Sequence, residues 1–142
     1  MREFFRTQTL LRPVNPCRAA RSEQVANAIC DAAKPFGVPL LGMARTKHEE
    51  VYGKRGIPFL AEYYVDLDYD DTGRLIITRE HEAVEPGAAA ARTLRAIREG
   101  KVKSVQGPDI PMRADCICVH SDTPGAVAVA QAVRDAIKPY LA

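Results

Sequence analysis

The apolar run Cys116-Ile-Cys-Val119 leads straight into His120-Ser-Asp-Thr-Pro-Gly125 and then into AVAVAQAVRDAIKPYLA. The run reads as a buried strand and the last segment as a helix. A strand that passes directly into a helix is the unit from which α/β folds are built. In such folds the chemistry gathers where strands end and helices begin. A histidine, a serine and an aspartate stand at that point here. This junction is therefore the first candidate for a site.

The rest of the chain repeats the theme. Ser22 to about Lys34 reads as a helix, with Val25, Ala28, Ile29 and Ala32 on one apolar stripe and Ser22 as its N-cap. Pro35 and Gly37 stop it, and 38–43 follows as a short buried strand. Residues 45–56 suit a short helix and loop, and 57–66 a second strand rich in aromatic and branched side chains. Tyr69-Asp-Asp-Thr-Gly-Arg74 carries turn chemistry, and 75–78 is a brief extended piece. Pro86 opens another helix, with Ala90, Leu94 and Ile97 opposite Arg92, Arg95 and Arg98, and Gly100 ends it. Segments 101–105 and 110–112 suggest a small two-strand excursion. The last strand is expected at 115–119. The last helix is expected at about 124–138, buried through Val129, Val133, Ala136 and Ile137. The expectation is an α/β domain with a mainly parallel sheet of three or four main strands, too few to hide its own edges.

The chain has 142 residues, 46% hydrophobic and 27% charged, a composition that suits one globular domain. A net charge of +2 speaks against a dedicated nucleic-acid binder. No apolar run approaches the roughly 20 residues of a membrane span. The spacing of Cys17, Cys30, Cys116 and Cys118 is not that of a zinc site. Cys116 and Cys118 lie two apart and read as small core residues sharing a strand face. Without a secretory signal, reduced thiols and a cytoplasmic location are the expectation. The first residues are unlike the remainder: Arg2, Arg6, Arg12, Arg18 and Arg21 face a single acid, Glu3. Residues 1–17 read as an atypical leader. A mitochondrial presequence is the weaker alternative, because Pro13 and Pro16 interrupt a long helix.

At the junction, His120 can act as acid, base or ligand near neutral pH. Thr123 or Asp122 can cap the following helix, whose N-terminus favours negative charge. Against this stands the plain reading, in which Asp122 only caps and His120 satisfies a buried carbonyl. Glu62 and Asp66, four apart on a strand, share a face and can bind a cation or orient water. Asp66-x-Asp-x-Asp70 begins like a calcium loop but has Asp71 where glycine is needed and Ile77 where glutamate is needed. Asp70 and Asp71 then belong to a solvated turn. Gly53-Lys-Arg-Gly56 lacks the frame of a nucleotide loop. His48 lacks the second histidine of a zinc helix. His81, between two glutamates, reads as a surface residue, and the arginine face of 86–99 as solvated.

Several stretches resemble the LamB/YcsF lactam-utilisation family, which includes the A subunit of bacterial 5-oxoprolinase. They are Glu62-Tyr-Tyr-Val-Asp66-Leu-Asp-Tyr69, Gly73-Arg-Leu75, Glu99-Gly-Lys-Val102, Gly107, and Ala114-Asp-Cys-Ile-Cys-Val-His-Ser-Asp122. A looser match runs back through Arg18-Ala-Ala-Arg21. The resemblance implies the C-terminal half of a seven-stranded (β/α) barrel over 18–142, related to glycoside hydrolase and deacetylase barrels. It implies ATP-dependent hydrolytic opening of a cyclic amide, 5-oxoproline or a lactam such as 2-pyrrolidinone. ATP would act through a complex with partner subunits B and C; the resemblance names no metal. It further implies His120 and Asp122 as catalytic residues, with Glu62, Asp66 and Ser121 toward the substrate. The family's acidic D-x-N-x-D-x-G-E motif has no counterpart here. Leu11-Arg-Pro-Val-Asn15 stands where K-P-H-G is expected. Three functions therefore compete: a lactam-hydrolase subunit, a truncated non-catalytic remnant serving binding or assembly, and a small independent ligand-binding domain.

Overall fold

The computed structural model describes residues 16–78 and 80–141. Most of the arginine-rich leader expected at 1–17, including the Leu11–Asn15 stretch, lies outside the described residues. The described chain falls into two units, one running to Glu62 and the other Tyr63–Leu141.

The first unit opens with the single turn α1 (Pro16–Ala19) and the helix α2 (Glu23–Ala33). Ser22 caps α2 as expected, its Oγ accepting from Val25 N at 3.3 Å. The buried stripe of α2 is displaced by one position from the expected one: Ala26, Cys30 and Ala33 are buried, whereas Ala28 and Ala32 are exposed. Alanine and cysteine let α3 (Lys47–Lys54) pack close, and the larger Val25 and Ile29 flank the contact. Strand β1 (Leu40–Gly42) pairs in parallel with β2 (Phe59–Tyr64), Leu40 opposite Phe59 and Gly42 opposite Ala61. Leu40, Val51 and Tyr52 complete the core around the α2 stripe. Thr46 caps α3 by accepting from His48 N at 3.2 Å.

His48 belongs to this core rather than to any metal helix. It is fully buried, its ring stacks on Tyr52, and its Nδ1 accepts from Met43 N at 2.9 Å. Gly42 makes room for it. A methyl group at Gly42 would stand 2.6 Å from His48 Nδ1.

In the second unit β2 finishes at Tyr64, and Val65 N donates to Cys118 O at 3.2 Å. Strand β7 (Cys116–Cys118) is the further neighbour of β2 in the sheet. Between them in sequence come two small antiparallel pairs. The first joins β3 (Asp68–Tyr69) to β4 (Leu75–Ile76) through the expected turn. There Asp70 Oδ1 accepts from Thr72 N, Thr72 Oγ1 and Arg74 N, so its carboxylate shapes the turn, as the solvated-turn reading requires. The second pair, β5 (Lys101–Lys103) with β6 (Asp109–Pro111), is the two-strand excursion. Tyr69 lies stacked beside Tyr63, and its hydroxyl accepts from Tyr64 N at 2.9 Å, which ties β3 to the end of β2.

Helix α4 (Pro86–Glu99) is capped by Glu85, whose carboxylate accepts from Gly87 N and Ala88 N. It packs on α5 (Ala126–Ile137). The buried face of α4 is Ala89, Thr93 and Ala96, again one step from the expected stripe. Val129 and Val133 are buried on α5 as expected, and Ala136 and Ile137 are partly buried. Gly100, at φ 63°, ends α4 in the left-handed region that glycine enters without strain. The arginine face of α4 is more engaged than a solvated face would be. Arg95 holds Asp109 through two bonds of 2.8 and 2.6 Å, and Arg92 donates to Leu67 O at 3.2 Å. No helix among the described residues is long and apolar enough to cross a membrane.

The close approach of Gly42 to His48 sets a sharp steric limit. Replacing Gly42 by Ala should destabilise the protein by about 1–3 kcal/mol, the usual cost of forcing extra volume into a packed core. Urea unfolding curves for the two proteins measure it directly. Superimposable curves would mean that the His48 ring moves freely.

Candidate active site

Asp66 stands in the turn after β2 and is buried. Strand β2 stops at Tyr64, so Asp66 stands outside the strand that holds Glu62. Glu62 is buried within β2. What Asp66 meets instead is the strand-to-helix junction. His120 N donates to its Oδ2 at 2.6 Å, and His120 Nδ1 lies 2.9 Å from its Oδ1. Thr123 Oγ1 donates to Oδ2 at 2.9 Å. One carboxylate thus holds both ends of the turn that carries the polar trio.

Burial by itself would raise the Asp66 carboxyl. The His120 N–H, the His120 ring and the Thr123 hydroxyl outweigh burial and hold it below the ordinary carboxylate range. A carboxylate only accepts, so the proton between the pair sits on His120 Nδ1. The lone pair of His120 is then at Nε2. The ring is held flat against Tyr64, centroids 5.7 Å apart and planes 10° from parallel. Its Nε2 stands 4.0 Å from Cys118 Sγ.

His81 joins the same cluster, although its sequence context reads as surface. Its side chain is 11% exposed and its ring lies edge-on to His120 at 5.7 Å. Thr123 gives its hydroxyl proton to Asp66, so His81 Nδ1, 3.2 Å away, is the donor to Thr123 Oγ1. His81, Thr123, Asp66 and His120 therefore form one continuous chain of hydrogen bonds. Nothing in the local sequence marks His81, because Thr123, which it bonds, lies 42 positions away.

Ser121 and Asp122 lie in the same turn, on its exposed side. Ser121 is exposed, and the Asp122 side chain is 75% exposed, 3.5 Å from His81 Nδ1. Asp66, not Asp122, is the carboxylate on His120. Neither Asp122 nor Thr123 caps α5, as had been expected of them. The cap residue is Gly125 with no side-chain bond, because Thr123 is directed to Asp66 instead. Cys116 and Cys118 are partly rather than fully buried. Among the described residues no group of three or more histidine, cysteine, aspartate or glutamate side chains is placed to hold a metal ion.

The residues of this cluster lie inside a stretch that matches a known family. Residues 16–140 match the LamB/YcsF family. The chain belongs to that family. A relative from Pseudomonas aeruginosa, the 5-oxoprolinase A subunit 1, is 37% identical over 142 residues, covering 94% of this chain and 56% of the relative. The 5-oxoprolinase A subunit 2 of Pseudomonas syringae pv. tomato is 46% identical over 82 residues, covering 58% of this chain and 33% of that relative. The crystal structure of a lactam utilization protein from Thermus thermophilus superposes with a TM-score of 0.80 at 32% identity. The match covers 94% of this chain and 54% of that one. This LamB/YcsF chain thus shares an α/β fold with a lactam utilization protein and spans about half the length of the relatives it matches.

The charge on Asp66 has a consequence for stability. A carboxyl group held below its unfolded value stabilises the folded state above that value, near pH 3.9, and the contribution disappears as pH falls through the folded value. Asp66→Asn should therefore cost roughly 2–4 kcal/mol at neutral pH through lost charged hydrogen bonds. The gap between variant and wild type should narrow as the pH is lowered below about 4. Denaturant titrations at several pH values test this. A gap that is independent of pH would show that the charge is not what matters.

Proposed function

We propose that this chain serves lactam utilisation as a LamB-type subunit, in the hydrolytic opening of a cyclic amide such as 5-oxoproline or a related lactam. The observation that carries the reading is the part-buried Asp66–His120 pair, 2.9 Å long, which fixes the imidazole with Nε2 away from the carboxylate. Such a nitrogen is suited to take a proton from water as it attacks an amide carbon and to return it to the departing nitrogen. Asp66 already accepts bonds from His120 and Thr123, which makes it the residue that orients the base rather than a substrate ligand. Exposed Ser121 and Asp122 are within the same turn and suit contact with the polar ends of a substrate. Glu62 remains a candidate for orienting the substrate amine.

Opening an unstrained lactam calls for activation, and we assign the ATP that supplies it to partner subunits of B and C type. The letter in the relatives' names, which marks each as one subunit of 5-oxoprolinase, supports an assembly of several chains. Within this chain Gly53-Lys-Arg-Gly56 falls at the C-terminus of α3 and in the turn after it. A helix C-terminus exposes carbonyl oxygens, the wrong pole for phosphates. These residues do not fit a nucleotide, and no step here runs through one. We read the α/β unit as part of a seven-stranded (β/α) barrel of the glycoside hydrolase and deacetylase kind, working in the cytoplasm. A second reading is a non-catalytic binding or assembly module.

Reconstitution with B- and C-type subunits separates the two. Nucleotide-dependent release of glutamate from 5-oxoproline is expected, falling by about 10²–10⁴-fold in His120→Ala. Turnover that survives His120→Ala at the wild-type rate would defeat the catalytic assignment. Stable assembly without any turnover would favour the module.

A further inference from the structure

Cys118 has no part in the scheme above, yet it stands beside the base. Cys118 closes β7 and His120 stands two residues on, at the start of the turn. Sγ comes within 4.0 Å of His120 Nε2, and Nδ1 of the same ring lies 2.9 Å from Asp66 Oδ1. Sulfur, imidazole and carboxylate thus occur in the order that thiol acyl-transfer sites use, the base aligned by a third group on its far nitrogen. Cys118 is partly exposed, unlike Cys30, which is buried in the core of the first unit. The imidazole is fixed by stacking on Tyr64 and has no second nitrogen to offer the thiol. These constraints direct Nε2 to the sulfur as readily as to a water molecule.

We propose that Cys118 is a nucleophile activated by His120, with Asp66 as the positioning residue, and that its substrate is an acyl carbon of the amide class. The Sγ proton passes to His120 Nε2 and the thiolate attacks the carbonyl carbon. The C–S bond forms, the C–N bond breaks, and nitrogen leaves with the proton held on Nε2. Water then attacks the thioester and gives a proton to Nε2. The C–O bond forms, the C–S bond breaks, and the proton returns to sulfur. The amide as substrate rests on the lactam reading, whereas the thiol–imidazole pair does not.

The test uses the full chain with iodoacetamide, and tandem mass spectrometry resolves Cys118 from Cys116 in their shared tryptic peptide. Cys118 is expected to alkylate at least about tenfold faster than Cys116 near pH 6.5, where an ordinary thiol of pKa about 8.5 is nearly inert. His120→Gln should bring the two rates together. With p-nitrophenyl acetate, an acetyl adduct should appear on Cys118 and be absent in Cys118→Ser. The wild-type rate profile decides the matter without relying on any variant to fold. If Cys118 follows the ordinary thiol profile and matches Cys116, the proposal is overturned. Fast alkylation without lactam turnover in the reconstituted assembly removes the lactam reading alone. Ordinary alkylation alongside turnover removes the thiol alone.

Discussion

The carboxylate of Asp66 is the point on which the strand-to-helix turn of the second unit depends. It is buried, and a buried charge persists only where hydrogen bonds replace the water it has lost. His120 supplies two of those bonds and Thr123 a third. The same bonds fix the turn between β7 and α5, select the tautomer of His120 and align the hydroxyl to which His81 donates. The shape of the turn and the orientation of the ring therefore share one cause. The interaction that keeps the turn in shape also aims the imidazole.

This dual role explains why the turn is built as it is. Thr123 is a good N-cap residue by type, yet its hydroxyl serves Asp66, and α5 begins at Gly125 without a side-chain cap. Satisfying a buried carboxylate matters more than satisfying helix N–H groups that water can reach. Tyr64 contributes in the same economical manner. It ends β2, gives its N–H to the Tyr69 hydroxyl and supplies the flat surface on which His120 rests. Asp66, His81, His120 and Thr123, which meet in this cluster, all lie within residues 16–140 that match the LamB/YcsF family.

Helices α2, α4 and α5 were legible to within about two residues, the turn α1 was not, and the helix faces were less so. Ser22, Pro86 and Gly100 mark helix ends by backbone chemistry that acts locally, and each does so in the structure. The buried stripes of α2 and α4 are displaced by one position because the choice between neighbouring alanines is made by the partner helix. In α4 that choice brings Thr93 inward, where its hydroxyl bonds Ala89 O, a polar residue that hydrophobic periodicity would leave outside. The strands proved shorter than their apolar runs, β1 and β7 having three residues each. Apolar character marks burial, and pairing depends on a neighbour.

By itself the sequence determined the order of helices and strands, the turns at Asp70 and Gly100, and the presence of a histidine at a strand-to-helix junction. Those features follow from local propensity and periodicity, which act within a few residues. Only the tertiary structure decided that Asp66 rather than Asp122 is the carboxylate on His120, that His81 is drawn in and that Cys118 faces Nε2. The first two depend on contacts between positions 54 and 42 apart. The third depends on how the ring is turned by its bond to Asp66. A sequence holds such groups without saying which of them meet, because the meeting is set by chain packing and by the need to satisfy a buried charge.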